Sequence, residues 1–270
     1  MFVAGCDLGS ATGKVVIMRS NSIMSWSIVQ STISPEKTAR LALEIALKKA
    51  KLSSLADLHY VLGTGYGRQV VSFITENLSE ITCHARGAHW LHPETRTVVD
   101  VGGQDCKVIL LNSAGKVIDF VMNDKCAAGT GKFFEVMART FDCSLDEFVK
   151  LSLQSNTPAN ITKQCSVFAE SEVITLINSG IDPADIAAGL VDSITRRIIA
   201  LIHRIGYTPD IVFTGGCAKN ESLIRSIEKA LKVNIVRLPN PQIIGALGAA
   251  LFALERIRGK VNNKNSTNVN

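Results

Sequence analysis

One local pattern occurs twice in this chain, and it restricts the folds that its 270 residues can adopt. In each copy, a short apolar strand that carries an aspartate, Asp7 or Asp100, runs into a glycine turn and is followed by two more strands. The predicted strands cover residues 2–8, 14–19 and 26–29 in the first copy and 96–101, 106–111 and 116–121 in the second. Such a repeat predicts an internal duplication of a three-stranded antiparallel unit.

The remaining segments predict helices and single strands, as in an α/β protein. Ser34 and Pro35 mark the start of a helix over 35–52, because serine is a favoured N-cap and proline suits the first helical turn. A strand at 59–64 precedes a helix that is predicted to start near residues 66–68. Mostly helices are predicted over 129–206, including an amphipathic one over 183–205, and they are followed by strand 210–214, helix 218–231, strand 234–238 and helix 242–258. The polar tail over 261–270 predicts disorder.

The composition indicates a globular protein with a sizeable core, since 46% of the residues are hydrophobic and 20% are charged. Much of the formal net charge of +5 lies near the C-terminus and only 6% of residues are aromatic, so no nucleic-acid-binding surface is predicted. Asp7 interrupts the first apolar run, which argues against a signal peptide. The most apolar stretch, 243–254, is shorter than the roughly 20 residues that span a membrane. We therefore expect a cytoplasmic protein that binds neither nucleic acid nor membrane.

Seven cysteines are spread along the chain without a Cys-x-x-Cys pair. This spacing argues against a disulfide framework and against local ferredoxin or zinc-ribbon sites, so any metal centre must collect thiols from distant segments or from two subunits. Cys126 lies in the run NDKCAAGTGKFF over 123–134, and Cys165 directly precedes a helical run over 166–177. If the chain pairs with itself, two thiols from each subunit can hold one iron-sulfur cluster.

The first glycine turn has the residue types that bind a phosphate. Its glycines let the backbone approach an anion closely, and Ser10 and Thr12 supply hydroxyl groups. Lys14 supplies positive charge, and Asp7 can hold a magnesium ion through water. A simple β-hairpin turn is an equally good interpretation of this segment alone.

Two later glycine segments strengthen the nucleotide interpretation. Residues 100–105 form a second backbone cradle with two carboxylates, and matched acidic hairpins are unlikely to arise by chance. Gly215 and Gly216 interrupt a buried strand where a flat adenine or ribose can pack. A turn is the alternative for each of these segments. The small residues over 245–250 indicate only that a helix packs closely on another backbone.

These elements, in this order, resemble the nucleotide-binding fold shared by actin, sugar kinases, acetate kinase and heat-shock chaperones. The resemblance implies an α/β fold of two ribonuclease H-like lobes with ATP in the cleft. The helices that begin near Gly129 and Gly245 match the connectors between the lobes. The expected lobes are residues 1–95 with 240–260, and residues 96–239, which include the cluster-bearing helices.

Six further motifs are similar to those of the ATP-dependent activators of 2-hydroxyacyl-CoA dehydratases, a family that includes ATPase subunits of benzoyl-CoA reductase and reductases of double-cubane cluster proteins. The motifs are NDKCAAGTGKF, GTGYGR, CHARGA, DVGGQD, CSVFAESEV and TGGCAKN, and the resemblance runs from about residue 3 to 256. It implies a homodimer with one 4Fe-4S cluster held by Cys126 and Cys165 of both subunits. It also implies ATP and Mg²⁺ as cofactors, ferredoxin or flavodoxin as electron donor, and a 2-hydroxyacyl-CoA dehydratase or a related iron-sulfur enzyme as partner.

The same resemblance implies roles for individual residues. Asp7 and Asp105 are expected to be catalytic, and Asp7 and Asp100 to hold magnesium. The expected nucleotide-binding residues are Ser10, Ala11, Thr12, Gly13, Lys14, Gly102, Gly103, Gln104, Gly215, Gly216, Ala218 and Gln242. This chain departs from the family in having Ala11 where a hydroxyl residue is usual, Lys132 in place of an arginine, and Cys217 in place of an aliphatic residue.

Two other classes of protein are consistent with parts of this pattern. A small-molecule kinase shares the lobes and phosphate loops, although no insertion suggests a substrate pocket. A dimeric zinc protein could use the same four thiols. The sequence does not identify the partner enzyme or its acyl-CoA substrate.

Overall fold

Two five-stranded sheets carry the duplicated unit. The structure is a computed structural model that describes residues 1–123, 130–162 and 166–267. Its strands are β1 (Phe2–Leu8), β2 (Thr12–Arg19), β3 (Ser22–Gln30), β4 (Leu58–Thr64), β5 (Glu76–Asn77), β6 (Thr97–Val101), β7 (Cys106–Leu111), β8 (Val117–Asn123), β9 (Ile211–Thr214) and β10 (Ile235–Arg237). The sheet orders are β3-β2-β1-β4-β5 and β8-β7-β6-β9-β10. With β6 taken as the equivalent of β1, the two orders are identical, as a duplication predicts.

The chain divides into two compact units, which we call the first and second lobes. The first lobe comprises Met1–Glu94, Asn112–Val117 and Gln242–Asn270, and the second comprises Thr95–Leu111 and Ile118–Pro241. The helices of the first lobe are α1 (Pro35–Lys49), α2 (Glu80–Leu91) and α8 (Ile244–Thr267). Those of the second are α3 (Gly131–Thr140), α4 (Leu145–Ser152), α5 (Ser166–Asn178), α6 (Pro183–Ile205) and α7 (Glu221–Leu231).

The first lobe has a hydrophobic core on each face of its sheet. Successive side chains of a strand point to opposite faces, so Val3 joins the cluster that includes α8, whereas Ala4 and Cys6 join the cluster that includes α1. A Cβ added at Gly5 would collide with the α8 backbone at Ala246. The small residues of α8 thus pack closely on another backbone, as the sequence predicts.

The second lobe packs its helices around one large apolar cluster. Phe133 and Phe134 of α3 contribute fully buried rings, and their neighbours in the cluster include Leu190 of α6 and Ile224 of α7. This cluster also contains Val99 of β6, so the strand that leads to Asp100 is anchored in the core. Among the residues that the structure describes, no helix has both the length and the apolar character needed to cross a membrane.

The structure departs most from the prediction in three segments. Near residues 66–68 the chain forms only a short 3₁₀ turn, Arg68–Val70, and the next α-helix begins at Glu80, where the Ser79 side chain caps the Ile81 amide. The helix predicted over 218–231 is divided, because Asn220 ends a 3₁₀ turn and caps α7. Helix α8 continues to Thr267, into the predicted disordered tail, since extending a formed helix is easier than nucleating a new one.

Candidate functional site

An aspartate–lysine pair marks the first hairpin. Asp7 lies near the end of β1 and is the register partner of Lys14 on β2. The Lys14 Nζ is 3.2 Å from the Asp7 Oδ2, and the Asp7 and Lys14 side chains are 6% and 13% exposed. An ammonium group has three N–H donors, and this carboxylate engages only part of that capacity. Lys14 can therefore contact an additional anion such as phosphate.

The turn between β1 and β2 is held in shape by Ser31. The Gly9 amide donates to the Thr12 carbonyl at 3.1 Å, and Ser31 binds the carbonyls of Ala11 and Gly9 through its amide and hydroxyl. A Cβ at Gly9 would lie 3.2 Å from the Lys14 Nζ, so glycine keeps the space beside this amine open. Ser10 is exposed at the tip of the turn, and Ala11 and Thr12 are partly exposed.

Gly13 has a packing role that the sequence did not predict. It is buried, and a Cβ at this position would lie 2.5 Å from the Thr38 Cγ2. The missing side chain therefore makes room for α1. Its predicted role in nucleotide binding stays a prediction, and the glycine that borders the amine of Lys14 is Gly9.

Two glycines that were not predicted as site residues fix the carboxylate of Asp7. A Cβ at Gly65 would lie 2.6 Å from its Oδ1, and one at Gly245 would lie 3.1 Å from its Oδ2 and 2.8 Å from the His84 Nε2. Gly65 also has a φ of 83°, a conformation that favours glycine. These residues belong to the GTGYGR, CHARGA and small-residue motifs. Membership of these motifs was the sequence signal that could have identified them as site residues.

The second hairpin contains a buried lysine between two carboxylates. Asp100 on β6 is the register partner of Lys107 on β7. The Lys107 Nζ lies 3.2 Å from the Asp100 Oδ2 and 2.8 Å from the Asp105 Oδ1. The three residues are 3%, 5% and 1% exposed in the order Asp100, Asp105 and Lys107. Sequence reasoning missed Lys107, although its spacing from Asp100 repeats the spacing of Lys14 from Asp7.

The turn of this hairpin also supports the start of α3. The Gly102 amide donates to the Asp105 carbonyl at 2.9 Å, which closes the turn. The carbonyls of Gly102 and Gly103 accept from the amides of Gly131 and Lys132, each at 2.9 Å. Gln104 is exposed at the tip. The turn and the first residues of α3 thus form one hydrogen-bonded unit.

The third glycine segment is tied to Asp100. Strand β9 is parallel to β6 and places Thr214 opposite Asp100, and the Thr214 hydroxyl donates to the Asp100 Oδ1 at 2.9 Å. Gly215 has a φ of 85°, and a Cβ there would collide with the Val101 carbonyl. After it, Gly216 is exposed and Ala218 is partly exposed. Gln242 lies in the 3₁₀ turn Pro241–Ile243 and belongs to the first lobe.

The two predicted cluster ligands lie outside the described residues. Cys126 falls within 124–129 and Cys165 within 163–165, but the helices that follow them, α3 and α5, are described. These helices pack together, and the Thr140 hydroxyl of α3 lies 3.4 Å from the Glu170 Oε1 of α5. Within the described ranges, no group of three or more His, Cys, Asp or Glu side chains could hold a metal ion.

The described cysteines are poor candidates for metal ligands. Cys6, Cys83, Cys106, Cys143 and Cys217 are free thiols, and only Cys143 is not buried. Burial raises the pKa of Cys83 and of Cys217 to about 12, and it also raises the pKa of Cys6, Cys106 and Cys143. Because metals bind the thiolate form, the remaining cysteines, Cys126 and Cys165, are the better candidates.

The duplicated sheets, each with an aspartate–lysine hairpin, define the class of this protein as an ATPase of the actin-like fold. More specifically, the chain belongs to the BadF/BadG/BcrA/BcrD ATPase family, whose model matches residues 4–253. The family and the ATPase class that the sequence motifs predicted are therefore confirmed.

Similar proteins cover nearly the whole chain. The activator of lactoyl-CoA dehydratase from Anaerotignum propionicum is 42% identical over 265 residues, which are 96% of this chain and 100% of that protein. The crystal structure of (R)-2-hydroxyglutaryl-CoA dehydratase component A from Acidaminococcus fermentans has a TM-score of 0.90 and 38% identity, over 95% of this chain and 98% of that one. The 2-hydroxyisocaproyl-CoA dehydratase activator from Clostridium difficile, solved with ADPNP, has a TM-score of 0.93 and 37% identity, over 97% and 98%.

Proposed function

We propose that this chain is an ATP-dependent activator that passes single electrons to a 2-hydroxyacyl-CoA dehydratase. The observation that carries this proposal is the 42% identity, over 96% of the chain, to an activator of lactoyl-CoA dehydratase. The aspartate–lysine hairpins supply the groups that such an ATPase needs. A benzoyl-CoA reductase or a double-cubane cluster protein is the alternative partner.

In the first lobe, Lys14 and the turn around Ser10 are the proposed phosphate contacts. The amine of Lys14 keeps part of its hydrogen-bonding capacity and borders the open space at Gly9. Other family members usually have a hydroxyl residue at the position of Ala11. In this chain the neighbouring residue, Thr12, offers a hydroxyl group instead. Asp7 is fixed between glycine backbones, so its carboxylate is suited to hold the water shell of a magnesium ion.

In the second lobe, Asp105 is the proposed group that orients the attacking water. Asp100 and Asp105 share one ammonium, so this hairpin keeps a net negative charge. Carboxylate oxygens and water are the ligands that magnesium prefers, and the donor set of this hairpin therefore fits a hydrated magnesium ion. Gly215, Gly216 and Ala218 leave backbone accessible for the adenosine.

Cys126 and Cys165 are the proposed ligands of one 4Fe-4S cluster shared by a homodimer. The donor chemistry fits, because two thiols from each subunit give the four thiolates that such a cluster requires. Cys126 and Cys165 would hold the cluster, which would supply one-electron redox chemistry between ferredoxin or flavodoxin and the partner enzyme. Helix α5 begins at Ser166, directly after Cys165, and helix α3 begins at Gly131, five residues after Cys126. The N-terminal end of a helix favours nearby negative charge.

ATP supplies the energy for an electron transfer that is uphill. Moving one electron through 100 mV requires about 2.3 kcal/mol. The turn 102–105 is hydrogen-bonded to the start of α3. A conformational change at the phosphates can therefore be transmitted to the start of this helix through backbone hydrogen bonds alone.

The test compares two cysteine variants that were purified anaerobically. Cys126→Ser is expected to lose the iron, the sulfide and the brown colour while it still binds ATP. Cys143→Ser is the matched control, because Cys143 is partly exposed and has no proposed role. A fully loaded cluster in Cys126→Ser would contradict the proposal. Colourless, metal-free wild-type protein whose ATP turnover depends on a sugar or acid would indicate a kinase, and bound zinc would indicate a zinc protein.

A further inference from the structure

Lys107 lies at the centre of the second hairpin, and the proposed function gives it no role of its own. Its side chain is 2% exposed, and its Nζ lies within 3.2 Å of both Asp100 and Asp105. Lysine is rarely buried to this extent unless it is paired. The two carboxylates would in turn repel each other without the ammonium between them. Each of the three charges therefore depends on the other two.

The contacts of Lys107 differ from those of its equivalent in the first lobe. Lys14 is the more exposed of the two and has one carboxylate within 3.2 Å. Lys107 has two carboxylates within that distance and almost no exposed surface. Reaching a phosphate would require Lys107 to break at least one of these two buried ion pairs. Direct phosphate binding is therefore unfavourable for Lys107.

The two partners of Lys107 connect it to both neighbouring loops. Asp100 accepts the hydroxyl of Thr214, which begins the glycine segment 214–218. Asp105 closes the turn 102–105 through its carbonyl. The ammonium group thus links the strand that precedes the turn to the residue that ends it.

The same turn carries the first two amides of α3. The Gly131 and Lys132 amides donate to the carbonyls of Gly102 and Gly103, each at 2.9 Å. An amide in the first turn of a helix has no partner within the helix, so these carbonyls are external acceptors that fix where α3 begins. The position of this helix end consequently depends on the shape of the turn.

We propose that Lys107 is a positioning residue that holds the turn 102–105 in shape and thereby fixes the start of α3. It acts through Asp100 and Asp105 and does not contact the nucleotide. The part of this inference that concerns ATP rests on the proposed function. The part that concerns α3 depends only on contacts within the second lobe.

Hydrogen–deuterium exchange of the whole protein without nucleotide tests the structural part. In Lys107→Met, the Gly131 and Lys132 amides should exchange about tenfold faster, the factor expected for the loss of an ordinary hydrogen bond. At short exchange times, which report local opening and not global unfolding, peptides from α7 should be unchanged. Lys48→Met, which removes an exposed lysine from α1, is the matched control and should behave as the wild type.

A second variant keeps the test decisive if Lys107→Met does not fold. Asp105→Ala leaves Lys107 paired with Asp100 and removes only the contact to the end of the turn. It should accelerate exchange at Gly131 and Lys132 in the same way. Unchanged exchange at these amides in folded Asp105→Ala would overturn the proposal, and so would an equal acceleration in α7, which indicates general loss of core stability.

Steady-state ATP hydrolysis separates positioning from phosphate binding. Lys107→Met should lower kcat about 100-fold, the scale expected when reacting groups are displaced by about 1 Å, while KM for ATP stays within about threefold. A raised KM with unchanged kcat would overturn the positioning role and indicate a direct phosphate contact. If the wild type neither binds nor hydrolyses ATP, the proposed function fails, whereas the exchange result still decides the role of Lys107 at α3.

Discussion

The two hairpins share a backbone plan but differ in charge and exposure. Each pairs an aspartate with a lysine at the same register, Asp7 with Lys14 and Asp100 with Lys107. The position that Asp105 occupies in the second hairpin corresponds to Thr12 in the first. The first pair therefore combines one carboxylate with one partly exposed lysine, whereas the second group combines two buried carboxylates with one buried lysine. Duplication has provided one scaffold with two electrostatic environments.

This difference indicates a division of tasks. A partly exposed ammonium group suits contact with phosphate, and a buried acidic group suits a hydrated cation and a reacting water. The following predictions test this division, in order of decreasing effect.

Removal of the lysine should destabilise the second hairpin more than the first. Lys107→Met removes the ammonium that pairs with two buried carboxylates and should cost about 3–5 kcal/mol of unfolding free energy. Lys14→Met removes a charged contact at a less buried site and should cost about 1.5–3 kcal/mol. Urea denaturation measures both, with Lys48→Met as the control. Equal losses of unfolding free energy in Lys107→Met and Lys14→Met would show that the two lysines contribute alike to stability, contrary to this prediction.

The order should reverse for ATP affinity. Lys14→Met should weaken ATP binding about 10- to 100-fold, because it removes the proposed charge-assisted hydrogen bond to phosphate. Lys107→Met should change the dissociation constant by less than about threefold. Isothermal titration calorimetry gives both values. A larger loss of affinity in Lys107→Met than in Lys14→Met would show that the assignment of tasks is wrong.

Thr12→Asp should make the first hairpin resemble the second. A second carboxylate near Lys14 would compete with phosphate for the ammonium, so ATP binding should weaken about tenfold. Thr12→Asn has a similar shape without the charge and serves as the control. The expected salt dependence of the Asp variant is a partial recovery of affinity as ionic strength rises, since salt screens the added charge. Identical affinities of the Asp and Asn variants would argue against a charge effect.

The buried thiols near the two hairpins, Cys83 and Cys217, should be equally unreactive. Burial raises the pKa of Cys83 in the first lobe and of Cys217 in the second to about 12, so the reactive thiolate is scarce at neutral pH and increases only as the pH approaches that value. Iodoacetamide at neutral pH should leave both unmodified in the folded protein, and mass spectrometry detects any adduct. Cys143, which is partly exposed, should react before them. Preferential labelling of either buried thiol would mean that its lobe opens more readily.

The repeated pattern predicted most of the sheet architecture. Strand β1 and strand β7 have the predicted bounds, and the shared sheet order follows from the repeat. The sequence identified Asp7 and Lys14 as site residues because both belong to one glycine motif, but it did not predict that they form an ion pair. The short 3₁₀ turn Arg68–Val70 was not predicted, since its local sequence resembles the start of a longer helix.

Lys107 shows what sequence reasoning alone could not supply. A lysine within the strand CKVILL gives no local sign of burial, which here depends on Asp105 approaching from the turn and Asp100 from the neighbouring strand. The same holds for Gly65 and Gly245, which are distant in sequence and enclose the Asp7 carboxylate only after the lobe has folded. Such residues are defined by tertiary contacts and not by local pattern.

Iron, sulfide and ATP turnover, measured in one anaerobic preparation of the wild type, show whether this ATPase carries the cluster that electron transfer requires. We expect a brown protein with about four irons and four sulfides per two chains, which hydrolyses MgATP and loses its colour in air. A colourless protein without iron that still hydrolyses ATP would contradict electron transfer, although it would leave the ATPase fold and its two hairpins in place.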